Sequence, residues 1–170
     1  TGVWKGVNTN WNDPQNWCGQ VPTASMNVTI PAAKPNYPEI INPTPVTRNI
    51  SIAAGGSVTI TGAGKLSIYG SISNTGTFNV VDGTIEMSGS AAQTIPSNAF
   101  QNNDIRNLVI SNASVNLGGA LNLYGKLTFS GSNRIFATAG NLVLKSNAAG
   151  TASVGDITNN NTSTGNTITG

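Results

Sequence analysis

Between residues 47 and 150, apolar side chains come in pairs two residues apart: Ile50/Ile52, Val58/Ile60, Leu66/Ile68, Phe78/Val80 and Ile85/Met87. Positions i and i+2 share one face of an extended strand. Each pair therefore predicts a short strand with an apolar edge turned inward and a polar residue outward. The pairs recur about every 8 residues, a spacing typical of short strands joined by tight turns. Gly and Asn stand between them, and these residues tolerate the left-handed backbone that sharp corners require.

The pattern then repeats. The block at 49–60 aligns with that at 107–117, 65–72 with 120–127, and 83–87 with 140–144. Ile50 falls on Leu108, Ile60 on Leu117, Tyr69-Gly70 on Tyr124-Gly125 and Ile85 on Leu142, at offsets between 55 and 58 residues. An internal period built of strands without helices indicates a stacked repeat architecture. The expected fold is all-β, a parallel β-helix (β-solenoid), with each copy filling about two three-sided coils. The rival is an antiparallel β-sandwich, which also joins short strands by frequent turns. Between the copies, residues 89–107 read as a strand and then a loop bulging from the coil.

Residues 1–46 have a different texture, with Trp4, Trp11 and Trp17 and most of the prolines. They are expected to form an N-terminal cap and the first strands, because the open end of a solenoid exposes both core and unpaired backbone. Residues 47–150 form the duplicated solenoid region. Residues 151–170 read as a polar C-terminal exit, continuing into whatever follows. Thr1 opens the chain without Met or a charged-then-apolar leader, which reads as a processed or excised segment.

Composition narrows the functional classes. The chain holds 24 Asn, 20 Thr and 16 Ser among 170 residues, with charged residues at 8%. Small polar side chains thus keep the surface soluble, as suits an extracellular setting. A net charge of +2 with no basic block gives no footprint for nucleic acid, and no apolar run is long enough for a membrane span. With no His and one Cys, Ser-His-Asp triads, Cys-His dyads and common zinc sites cannot be built. Cys18 reads as a small, partly buried residue. The nearest carboxylates, Asp82 and Glu86, read as a solvated pair, since paired-carboxylate chemistry needs two groups converging on one cleft. TGAGKL at 61–66 lacks the leading Gly and the hydroxyl residue after Lys65 that a phosphate loop needs, and reads as a turn. No enzyme activity and no cofactor are expected.

Several motifs carry a resemblance. Trp4 and Gly6, the run Trp11 through Thr23, Val28 through Pro31 and Asn36 through Ile40 resemble the opening of secreted cell-surface proteins of Bacteroidota. The blocks at 49–62, 74–78, 83–95 and 107–113 continue that similarity over nearly the whole chain. The resemblance implies export to the cell surface, commonly by type IX secretion, and a β-helical passenger or stalk associated with adhesion.

Two functions follow as expectations. The first is a non-catalytic extracellular structural or adhesive module, with self-association through solenoid ends as an end-to-end fibre. The second is a carbohydrate-binding module that stacks surface glycans on Trp4, Trp11, Trp17, Tyr69 and Tyr124. Tyr69 and Tyr124 occupy matching positions and would form a ladder on one face.

Overall fold

The structure is a computed structural model and describes residues 1–146, 150–155 and 165–170. The chain enters through β1 (Gly2–Val3), β2 (Val28–Ile30), β3 (Glu39–Ile40) and β4 (Val46–Thr47). The middle region follows with β5 (Ile50–Ile52), β6 (Ser57–Ile60), β7 (Lys65–Ile68), β8 (Ile72–Asn74) and the long β9 (Thr77–Met87). Next come β10 (Gln93–Ile95), β11 (Asp104–Ile110), β12 (Ser114–Leu117), β13 (Leu121–Leu123) and β14 (Lys126–Phe129). The last described strands are β15 (Ile135–Ala137), β16 (Leu142–Leu144), β17 (Ser153–Val154) and β18 (Thr167–Thr169).

Every strand ladder is parallel, and the strands stack into a three-sided β-solenoid of about six turns. The first face carries β1, β2, β5 and β8, then β10, β12, β15 and β18. The second carries β3, β6, the start of β9, the start of β11, β13 and β16. The third carries β4, β7, the ends of β9 and β11, β14 and β17. The sandwich alternative falls, because its ladders would be antiparallel.

Period-2 patterning sets the interior. In β5 and β10 a single exposed residue stands between two buried ones. Every apolar pair named above is buried, as are Leu108, Ile110, Leu127, Phe129 and Phe136 higher in the stack. Each such side chain contributes roughly 1.5–3 kcal/mol on burial. The predicted break between Phe78/Val80 and Ile85/Met87 is instead a bend within one strand, since β9 crosses the corner and serves two faces.

The coil is shorter than the duplication implied. Val28, Ile50 and Ile72 are register partners on successive coils, so a turn takes 22 residues here (28 to 50 to 72). Ile50 lies on the first face and Leu108 on the third. Ile60 lies on the second face and its match Leu117 on the first. The matched blocks are therefore not stacked over one another. Counting β9 and β11 twice, because each serves two faces, the second copy in each pair sits eight strand positions along the chain from the first, which is two coils and two further faces. The duplication is present, but it is rotated by one face short of three coils.

One corner motif shows that rotation directly. Asn49 Oδ1 accepts from Ser71 N at 2.7 Å, and Asn107 Oδ1 accepts from Lys126 N at 2.9 Å. In both places an Arg-Asn pair lies one coil below a Tyr-Gly pair. A Cβ on Gly70 or Gly125 would collide with that Asn oxygen, so close approach of the side chain demands glycine. The same device turns the chain from third face to first at Gly70, and from second to third at Gly125.

The first and last segments also hold surprises. The Trp-rich start covers the solenoid end, as expected of a cap. Residues 16–18 run antiparallel to β1, with Lys5 N donating to Asn16 O and Cys18 N to Val3 O, which occupies its outer edge. Cys18 itself is exposed, not partly buried. Of the expected exit at 151–170, residues 156–164 lie outside the described residues, and its described ends contribute β17 and β18 to the stack. The bulging loop at 96–103 tucks Ala99 and Phe100 back into the core, with Phe100 packed 5.2 Å from Phe78.

Candidate functional site

The three indoles are closed to ligands. Trp4, Trp11 and Trp17 are each at most 1% exposed. Trp17 lies between the other two, with centroids 4.9 Å from Trp4 and 4.8 Å from Trp11, both in edge-to-face geometry, the packing aromatic quadrupoles favour. Trp4 Nε1 donates to Asn36 O and Trp17 Nε1 to Trp11 O. Buried Asn16 braces the loop above them, donating to Asn8 Oδ1 and Asn10 O and accepting from Asn8 N. A sugar ring needs an open aromatic face, so the Trp residues are removed from the stacking set.

The tyrosines do not form a ladder either. Tyr69 follows β7 on the third face, whereas Tyr124 follows β13 on the second. The rotated duplication puts them on different corners. Tyr124 is half-buried, with Lys145 Nζ 5.8 Å from its ring centroid. Tyr69 is 40% exposed and lines a groove.

The Asp82/Glu86 pair also differs from expectation. Asp82 is exposed and accepts from Gly62 N. Glu86 is not solvated: it forms an ion pair with Lys65 and accepts from Ser67 on the coil below and Ser111 on the coil above. Burial pushes the Glu86 carboxyl up. The hydrogen bonds from Lys65, Ser111 and Ser67, with the Lys65 charge, outweigh it and hold the group below the usual carboxylate range. Glu86 thus latches three coils. A depressed folded pKa gives stability that is fully present above the unfolded value of about 4.3 and is lost as pH falls through the folded value. Glu86→Gln should cost about 1–2 kcal/mol at pH 7. In urea unfolding the gap from wild type should close below about pH 4; a gap independent of pH would refute the latch.

The groove at Tyr69 runs along the corner between the third and first faces and encloses about 990 Å³. Arg48 lines it just before β5, Tyr69 just after β7, and Arg134 just before β15. Between them the floor is the all-small turn Ser88, Gly89, Ser90, Ala91 and Ala92, which joins β9 to β10. The notch has a backbone cause: β8 and β10 do not share a ladder. In its place the buried Gln93 side chain donates to Ile68 O and Gly70 O, and its Oε1 accepts from Gly89 N and Asn112 Nδ2. Asn112 is buried too, donating also to Ala91 O and accepting from Ser114 N. Among the described residues no carboxylate lines the groove, and the charged groups on it are two guanidiniums.

Sequence reasoning singled out Tyr69 but missed Arg48, Arg134, Gln93 and Asn112. The one signal available was the run Ser88 to Ala92, too small to fill a corner. Among the described residues, no three His, Cys, Asp or Glu side chains converge as a metal site, and no helix is long and apolar enough to cross a membrane.

Residues 3–85 match the model of a family described as a domain of unknown function (DUF8693). That span covers the Trp cap, Arg48 and Tyr69, and ends within β9. No curated protein and no solved structure matches the chain.

Proposed function

We propose that this chain is a non-catalytic module of the cell exterior, a stalk whose side also adheres to surface carbohydrate. The observation that carries the reading is how the polar side chains are used. Asn49, Glu86, Gln93 and Asn112 bind coil to coil, which yields a stiff column and not a reactive cleft. Eight strand levels on the first face, spaced about 4.8 Å apart, give it a height of roughly 34 Å. The resemblance to secreted Bacteroidota modules and the Asn, Thr and Ser-rich surface support an extracellular address.

The covered edge of β1 favours a stalk over an end-to-end fibre, because strand addition needs a free edge. A second reading, a dedicated carbohydrate-binding module, is favoured by the exposure of Tyr69 in the groove. Sedimentation velocity at rising concentration, paired with a reducing-end assay on a panel of polysaccharides, tests the proposal. A monomer that releases no new ends is expected. Reversible growth into filaments would replace the stalk with the fibre, and released ends would overturn the non-catalytic reading.

A further inference from the structure

We infer that the corner groove is a binding site for an acidic polysaccharide, a linear chain of sugars bearing carboxylates, held by Arg48, Tyr69 and Arg134. The inference rests on the adhesive half of the function proposed above and names its ligand class. Three features carry it. First, the groove is a track: from the level of Arg48 to that of Arg134 there are four coil steps, about 19 Å at the spacing of parallel strands, so a ligand that engages both arginines must be extended.

Second, its charge is one-signed, with two guanidiniums at its ends and no Asp or Glu among the described residues of its walls. Guanidinium groups bind carboxylates through paired N–H donors. Arg134 is held in place by its Nε, which donates to Ser130 O at 3.2 Å, and Arg48 is exposed at the other end of the groove.

Third, the rest of the lining suits sugar. Ser88, Ser90 and Thr94 present hydroxyls, which both donate and accept, and Tyr69 supplies one open aromatic surface. The two competing polymers fit less well. A nucleic acid relies on many neutralised phosphates, and two arginines provide few. A peptide adding as a strand needs a free sheet edge, and the floor here is a turn whose Gly89 N and Ala91 O are already bonded to side chains.

The test uses the whole chain immobilised and probed with polygalacturonate, neutral dextran and a single-stranded oligonucleotide at low and high salt. Polygalacturonate should bind, weakening as salt screens the exposed arginines, and dextran should not. Arg48→Ala and Arg134→Ala should each lower the affinity about tenfold, the scale of one charge-assisted hydrogen bond. Tyr69→Ala should also lower it, while Lys34→Ala, outside the groove, should leave it unchanged. Unaltered unfolding midpoints would show that each variant is folded.

Equal binding of dextran would overturn the acidic ligand class while leaving carbohydrate adhesion standing. Stronger binding of the oligonucleotide, or an equal loss in Lys34→Ala, would overturn the groove as a sugar site. Binding of none of the three by the folded chain would remove the inference and leave the stalk untouched.

Discussion

Trp17→Ala should lower the stability of the chain by about 3–5 kcal/mol, the range for deleting a buried aromatic. The indole is in edge contact with both other tryptophans and its Nε1 holds the Trp11 carbonyl. Its loss empties the centre of the cap and leaves that carbonyl unpaired. Phenylalanine substitutions separate the two effects. Trp17→Phe and Trp11→Phe remove similar volume, but Trp11 Nε1 has no hydrogen-bond partner among the described residues. Trp17→Phe should therefore be the more costly by about 1 kcal/mol. Equal losses in thermal or urea unfolding would mean that the Trp17 hydrogen bond contributes nothing.

Gln93→Leu should be the most damaging polar-to-apolar exchange in the chain. Leucine fills a similar volume, so the cost is polar and not a cavity. The exchange leaves Gly70 O and Gly89 N without partners, removes the second donor to Ile68 O, which keeps Ser88 N, and removes the acceptor of one Asn112 bond. Leaving a buried polar group unpaired costs about 1–3 kcal/mol, and with two such backbone groups at stake a loss of about 2–6 kcal/mol is expected. The damage should be local to the junction of β8 and β10, visible as faster amide exchange at Gly89 and Ser114. A variant as stable as the parent would show that a direct β8–β10 ladder can form, and the notch would then have no structural basis.

These two sites mark where the sequence was and was not legible. Pairs such as Ile50/Ile52 state their strand and its inward face, because burial at period 2 leaves a hydrophobic trace. Tyr-Gly corners are also legible, since an approaching Asn side chain admits only glycine. The coil length is hidden, because successive strand–turn units look alike and a copy displaced by eight strands aligns as well as one displaced by nine. The error then propagated to Tyr69 and Tyr124, placed on one face in sequence and on two corners in space.

Trp4, Trp11 and Trp17 were ambiguous for a different reason: an indole that packs and an indole that stacks on sugar are spelled the same way. Gln93 and Asn112 were invisible because a polar residue that replaces a ladder looks like any exposed one. The groove joins Arg48 to Arg134, which are brought to one corner only once the true coil period is known.

Stacking register can be read by cysteine cross-linking in a Cys18→Ser background. Ser51 and Ser73 are outward-facing register partners on adjacent coils. Their Cα atoms should thus lie about 4.8 Å apart, within disulfide reach. Ser51→Cys with Ser73→Cys should oxidise readily to an intramolecular disulfide, while Ser51→Cys with Val109→Cys, the pair matched by the sequence duplication, should stay reduced. A disulfide in the second pair and none in the first would contradict the three-sided column and its rotated repeat.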